Sequence, residues 1–267
     1  MPSAIQLSPT DIVVDRSNAA VAVVTINRAA RRNAMTLAMW RELGCLFQRL
    51  GGEPAIRAII LTGAGGAFCA GADISEFPAV RATAADGHVY EAAAGTCLTL
   101  IQTCPKATIA AITGPCYGGG VGLALSCDFR VADGTAYFAI PAARLSNVYG
   151  IVETRALYNA VGLAAAKEVL FSGRRYEVEE AHRIGLATHR AAGNALADAK
   201  SLASGLAKSA PLTIKGAKVV LAALAEGAVE ARQSAIQSIM DEALTSADYR
   251  EGVAAFSEKR EPLFRGK

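Results

Sequence analysis

Few residues in this chain could do chemistry, and most of them sit among glycines and alanines. The stretch GGAFCAGADISEF, Gly65 to Phe77, carries one thiol (Cys69) and two carboxyls (Asp73 and Glu76). A second stretch, GPCYGGGVGLALSCD, runs from Gly114 to Asp128 with a glycine triplet and only thiols, a phenol and a terminal acid. Glycine-rich turns that lead into helices collect unpaired backbone N–H groups, so both stretches could hold an anion with main chain instead of side chains. Neither is a nucleotide loop: G-K-[ST] is missing, and no G-x-G-x-x-G falls in register between a strand and a helix. Taken singly, each is equally well a tight packing turn.

A third stretch, FAIPAARLSNVYGIVETRAL (138–157), adds Tyr149 and Glu153. Four residues apart, they share a face if the segment is already helical. The plainer reading makes Glu153 an acid in a first helical turn, where the dipole favours it, and Tyr149 an amphipathic pocket wall. His88, Tyr90, Glu91 and Glu76 read as surface groups, and Trp40 as core.

The elements that must position these residues follow from hydrophobic periodicity. VAVVTINR (21–28) is a mostly β-branched strand, and RRNAMTLAMWRELGCLFQRLGG (31–52) has apolar residues at helical spacing until the glycine pair. IRAIILTGAGG (56–66) repeats strand then glycine turn. VYEAAAGTCLTLIQTCPK (89–106) is a helix ended by Pro105. ATIAAITGPCYGGGVGLALSCDFRVAD (107–133) reads as strand, turn, small-residue helix, strand. Repetition of this texture predicts an α/β fold of stacked right-handed crossovers. From about Gly193 the chain is Ala/Leu/Lys-rich with helical spacing only.

The 267 residues, at 27.6 kDa, suffice for one full core. Hydrophobic residues are 52% and charged ones 19%, too apolar for a disordered chain. A net charge of +3 gives no case for nucleic acid, although local basic pairs could meet a phosphate. The six cysteines show no C-x-x-C pair or metal-like spacing, which favours reduced thiols. The N-terminus does not read as a signal peptide, and no apolar run approaches the roughly 20 residues of a membrane helix. The expectation is a cytoplasmic protein without metal.

Taken together, AFCAGADI, GPCYGGGVGLALSCD, INRAARRNAMT (26–36) and FSEKREPLF (256–264) resemble, in this order, the crotonase (enoyl-CoA hydratase/isomerase) superfamily, over nearly the whole chain. The resemblance implies a spiral of β-β-α repeats over residues 1–195, binding acyl-CoA, with a helical region over 196–267 used in assembly as a homotrimer or hexamer. It implies an oxyanion hole made by the backbone N–H groups of Ala72 and Gly119. It implies coenzyme A contacts at Ala30, Arg31 and Arg32, at Ala70 through Asp73 and Ile74, and, from a neighbouring subunit, at Phe256 and Lys259. Asp73 itself reads as a pairing or capping residue. No separate cofactor is implied, since coenzyme A is part of the substrate; neither nucleic acid nor membrane is expected as a partner.

The chain departs from the hydratase pattern at both of its glutamates. The first slot, after the glycine triplet, is Gly122, and the second, after a proline, is Ala142. Water addition needs a base for water and an acid for the α-carbon, so the expectation is an acyl-CoA enzyme that stabilises an enolate without being a proficient hydratase. Tyr149 falls where some isomerases of the family carry an acidic base and where the methylmalonyl-CoA decarboxylase branch has a tyrosine; a phenol there could orient a substrate carboxylate. Decarboxylation or double-bond isomerisation is therefore expected, the latter with Glu153 as proton carrier. The alternatives are hydration through displaced acid/base residues, or acyl-CoA binding without catalysis.

Overall fold

The computed structural model describes residues 10–267. In chain order it holds β1 (Ile12–Asn18), β2 (Val21–Ile26), α1 (Leu37–Gly52), β3 (Ala58–Gly63), α2 (Phe77–Val80), α3 (Ala84–Gln102), β4 (Ala107–Ile112), β5 (Pro115–Tyr117) and α4 (Gly119–Ser126). Then follow β6 (Phe129–Ala132), β7 (Tyr137–Ala139), α5 (Ile151–Ser172), β8 (Tyr176–Glu177), α6 (Val178–Ile184), β9 (His189–Arg190), α7 (Ala195–Leu206), α8 (Pro211–Ala225), α9 (Val229–Thr245) and α10 (Ala247–Glu258). Helix α5 is interrupted at Gly162.

The larger sheet has the order β1-β2-β3-β4-β6-β9 and is parallel except for the β1–β2 pair. A second, smaller sheet joins β5, β7 and β8. Two isolated bridges extend the pattern: Met35 pairs with Ala72, and Cys69 with Cys116. Each turn of the chain thus lays a strand in the large sheet, a short extended segment in a second layer, and a helix: β2, Met35, α1; β3, Cys69, α3; β4, β5, α4; β6, β7, α5. This is the β-β-α repeat that the family resemblance implies; the sequence pattern itself shows only strand, turn and helix because the second β member is too short to make a hydrophobic run. For that reason 107–133, which reads as strand, turn, helix and strand, contains the additional strand β5.

Alternation along the strands divides the core in two. Ala22, Val24, Ile26, Ile59 and Leu61 face the layer holding Trp40, Phe47, Leu98 and Phe68. Val21, Val23, Ala58, Ile60 and Ile109 face Ala195, Ala199 and Ala203 of α7. The helix directly after residue 195 therefore covers the open face of the sheet, and the more peripheral helices start at α8. Thr36 caps α1, accepting from Met39 N–H at 3.2 Å, and Thr83 with Asp86 forms a capping box on α3, which starts earlier than its apolar stripe. Among the described residues no helix is long and apolar enough to cross a membrane. The cysteines are free thiols.

Candidate active site

The loop after β3 and the turn before α4 meet through backbone. Cys69 donates its N–H to Pro115 O (3.1 Å) and accepts from Tyr117 N–H (2.9 Å). Gly71 adopts φ +91°, and a Cβ there would lie 2.8 Å from Tyr117 O, so only glycine permits this approach. Gly118, capping α4, sits at φ 49°, ψ −118°, again open only to glycine. The expected loop-to-helix geometry holds for Gly119, the first residue of α4. It does not hold for Ala72, where a short 3-10 turn (Ile74–Glu76) follows instead of an α-helix. Ala72 is placed by its bridge to Met35.

Neither Ala72 N–H nor Gly119 N–H has a hydrogen-bond partner among the described residues. In each case the other side of the same peptide is held. Met35 N–H donates to Gly71 O at 2.8 Å, and Tyr149 Oη donates to Gly118 O at 2.6 Å, joined by Val121 N–H at 2.9 Å. A trans peptide directs its C=O and N–H oppositely, so fixing the carbonyl aims the N–H. A Cβ on Gly119 would lie 3.8 Å from Ala72 N and 3.0 Å from Trp40, so the two donors are neighbours above the indole. Trp40 Nε1 in turn donates to Tyr90 Oη (2.9 Å), whose hydroxyl reaches Met35 O (3.4 Å). Tyr90 is thus buried support for the Met35–Ala72 bridge, not the surface group its neighbourhood suggests.

Both donors line a cavity of about 540 Å³ together with Gly71, Ile74, Phe77, Arg81, Tyr117, Ala142, Asn147 and Tyr149. Among the described residues no carboxylate lines it. Ala142, the second glutamate slot, is in its wall. Gly122, the first, lies beneath it: a Cβ there would be 3.3 Å from Glu153 Cγ and 3.7 Å from Tyr149 Oη. Glu153 therefore occupies the space above Gly122 and is buried behind Tyr149, outside the cavity lining. Tyr149 precedes α5, and Gly150 caps it, so the two side chains meet at Gly122 without sharing a helical face.

Burial drives the electrostatics. It raises the Glu153 carboxyl above its usual range, opposed by the residue's own N–H and assisted by Glu91. It raises the Tyr149 phenol well above its ordinary value, with Glu153 adding to the shift. Tyr149 is therefore a neutral hydroxyl whose single proton is committed to Gly118 O. To orient a substrate carboxylate by donation, the possibility raised by the sequence, Tyr149 would first have to give up this bond. Burial pushes the Cys69 thiol up to about 12, leaving it unreactive.

Asp73 is buried and engaged. Burial alone would raise its carboxyl, but bonds from Ser75 and Arg28 (3.0 Å) outweigh that and hold it below its usual value. Glu76, expected at the surface, is buried and accepts Leu37 N–H at 2.6 Å, capping α1; burial raises its carboxyl. Ala30, Arg31 and Arg32 are exposed, and Arg32 O accepts Ala70 N–H at 2.9 Å, so the two expected coenzyme A segments are adjacent. Ile74 is also exposed at the cavity edge. Phe256 is 88% exposed and lines a different hollow with Tyr249, Val253 and Phe264, while Lys259 ends α10; one chain does not bring them to the cavity. Sequence reasoning missed Arg81, a polar residue in the link between the four-residue α2 and the start of α3, with no periodic signal of its own. Among the described residues no three His, Cys, Asp or Glu side chains group as metal ligands.

The chain is thus a mixed α/β spiral with two loops that end in unpaired backbone donors at one cavity. The model of the enoyl-CoA hydratase/isomerase family matches residues 16–267, and the chain belongs to that family. It is 34% identical over 253 residues to the Bacillus subtilis protein YngF, whose name places it among enoyl-CoA hydratases/isomerases (93% of this chain, 96% of that one). It is 30% identical over 266 residues to a peroxisomal Δ(3,5)-Δ(2,4)-dienoyl-CoA isomerase of Arabidopsis thaliana (95% and 96%). A solved enoyl-CoA hydratase/carnitine racemase from Magnetospirillum magneticum superposes with a TM-score of 0.88 at 35% identity (97% of each chain).

Proposed function

We propose that the chain is an acyl-CoA enzyme in which the N–H groups of Ala72 and Gly119 form an oxyanion hole for a thioester enolate, and that it is not a proficient hydratase. The observation that carries this reading is the pair of unpartnered donors in a cavity that no carboxylate lines among the described residues. Two preset donors stabilise the charge that develops on the thioester oxygen, and loss of one such donor typically costs about 3–4 kcal/mol in barrier. Water addition would still need an acid and a base within reach of the α- and β-carbons, and Gly122 and Ala142 provide neither. The names of relatives favour hydration; the lining argues against it.

Decarboxylation fits such a cavity best. The bond between the α-carbon and the carboxylate breaks, and its electron pair enters the enolate held by Ala72 and Gly119. CO2 departs, and a proton from solvent then reaches the α-carbon. No side-chain base is needed to begin. Glu153 favours a second reading, isomerisation, because burial raises its carboxyl and makes it a readier proton carrier than an exposed glutamate; it would have to act past Tyr149. Coenzyme A would lie along Ala30–Arg32 and Ala70–Ile74, with Phe256 and Lys259 supplied by a neighbouring copy in a trimer or hexamer.

The test is mass spectrometry of crotonyl, 3-enoyl, malonyl and methylmalonyl thioesters after incubation with the protein. Loss of CO2 supports the first reading. A shifted double bond without change of mass supports the second. Fast gain of water by crotonyl-CoA overturns both.

A further inference from the structure

Among the described residues, Arg81 is the one charged side chain that lines the cavity. Its guanidinium lies 4.7 Å from the Phe77 ring centre and 5.2 Å from that of Tyr90, stacked against aromatic faces that fix its plane. Nη2 is paired with Glu91 at 2.8 Å and reaches Asn147 Oδ1 at 3.5 Å. Nε and Nη1 make no hydrogen bond to any described residue. Both two-point edges of the guanidinium include Nη2, which Glu91 holds, so Arg81 keeps the N–H groups of Nε and Nη1 for single hydrogen bonds to an anion's oxygens.

The position of that guanidinium separates the acyl group from coenzyme A. Arg31 and Arg32, the expected phosphate partners, are outside the cavity lining, whereas Arg81, Asn147 and Tyr149 share it with Ala72 and Gly119. A positive charge inside the cavity therefore meets the acyl end of a thioester whose carbonyl sits at the two donors. The rest of the wall is apolar or backbone, except for the hydroxyls of Tyr117 and Ser146. Tyr149 has no proton left to donate, so Arg81 is the cationic partner for a substrate anion there.

We infer that Arg81 is the specificity-determining residue for acyl groups that carry a carboxylate, which it receives on its unpaired Nε and Nη1 N–H groups. This rests on the placement of the thioester carbonyl at Ala72 and Gly119, although it holds for any reaction performed there. Glu91 balances the charge, so an anionic acyl group is recognised by hydrogen-bond geometry more than by net attraction.

The test uses stable thioether analogues of acyl-CoA, one with a neutral alkyl group and one of equal length ending in a carboxylate. Dissociation constants are measured by calorimetry for the intact protein, Arg81→Gln and Glu91→Gln. The wild type is expected to prefer the carboxylated analogue by about 10- to 100-fold. Arg81→Gln is expected to abolish that preference while binding the neutral analogue as before, which also reports that the variant is folded. Glu91→Gln is expected to increase the preference, because it frees the guanidinium of its counter-charge. Equal affinity of the wild type for the two analogues overturns the inference, as does an equal loss of both in Arg81→Gln, which would assign Arg81 to coenzyme A. Binding without turnover leaves the inference standing and counts against the enolate reading alone; turnover of neutral thioesters with no preference does the reverse.

Discussion

The Tyr149 hydroxyl lies 2.6 Å from Gly118 O, on the same peptide whose N–H belongs to Gly119. A side chain 31 positions away in sequence thus aims a backbone donor at the cavity. Met35 does the same for Ala72 through Gly71 O, with main chain in place of a phenol.

Tyr149→Phe tests the first of these links. Gly118 O keeps Val121 N–H, so no orphaned carbonyl results, and the loss of stability is expected to be about 1 kcal/mol. The freed peptide is expected to lower kcat by about 10- to 100-fold with little change in KM. Steady-state kinetics beside thermal unfolding check this. An unchanged kcat would separate Tyr149 from the reaction.

Gly71→Ala tests the approach of the two loops. Its φ of +91° and the 2.8 Å between the added methyl carbon and Tyr117 O require the loops to move apart. The expected cost is about 1–3 kcal/mol in chemical denaturation, with loss of turnover exceeding the loss of folded protein.

Glu153 gives a pH signature. Its folded carboxyl titrates above the ordinary 4.5 because burial penalises the charge. Folding is therefore favoured while the group is protonated, and that contribution is present below the unfolded value and lost as pH rises through the folded one. Glu153→Gln, uncharged throughout, is expected to gain stability relative to wild type as pH rises through that window, and to show no such gain below it. Parallel melting curves from acid to neutral pH check the sign. If isomerisation is the reaction, the same variant also loses turnover.

Glu153 and Gly122 are expected to couple. Gly122→Glu alone meets Glu153 Cγ at 3.3 Å and Leu98 Cδ1 at 3.4 Å, and it should destabilise the fold. Adding Glu153→Ala empties that space, so the double variant should be more stable than the sum of the single effects predicts, by about 0.5–3 kcal/mol. Additive effects would mean that Glu153 does not fill the missing side chain's place.

The strands and helices that build the scaffold were readable because Val21–Ile26, Ala58–Gly63 and the stripe from Met39 to Leu50 have long, regular periods. Strand β1 and the short second layer were not: Met35, Cys69 and β5 contribute one to three residues each, and their pairing is fixed by contacts far away in sequence. The same division runs through the site. Ala72 and Gly119 were visible as small residues in motifs, and the missing carboxylates at Gly122 and Ala142 were visible as gaps. Arg81 was invisible, since a cation in the link between α2 and α3 looks solvated until Phe77, Tyr90 and Glu91 are seen around it. Asp73, read as a pairing or capping residue, does both with Arg28 and Ser75, whereas Glu76 reads as a surface group because nothing local shows that Leu37 N–H waits for it.

The central claim is that Ala72 N–H and Gly119 N–H together polarise a thioester carbonyl. Isotope-edited infrared spectroscopy of an acyl-CoA labelled with carbon-13 at that carbonyl, bound to the protein, reads the polarisation directly. The expected result is a carbonyl stretch shifted to lower frequency than in free solution, with a smaller shift in Tyr149→Phe. A bound thioester whose stretch equals that of the free one would contradict the account.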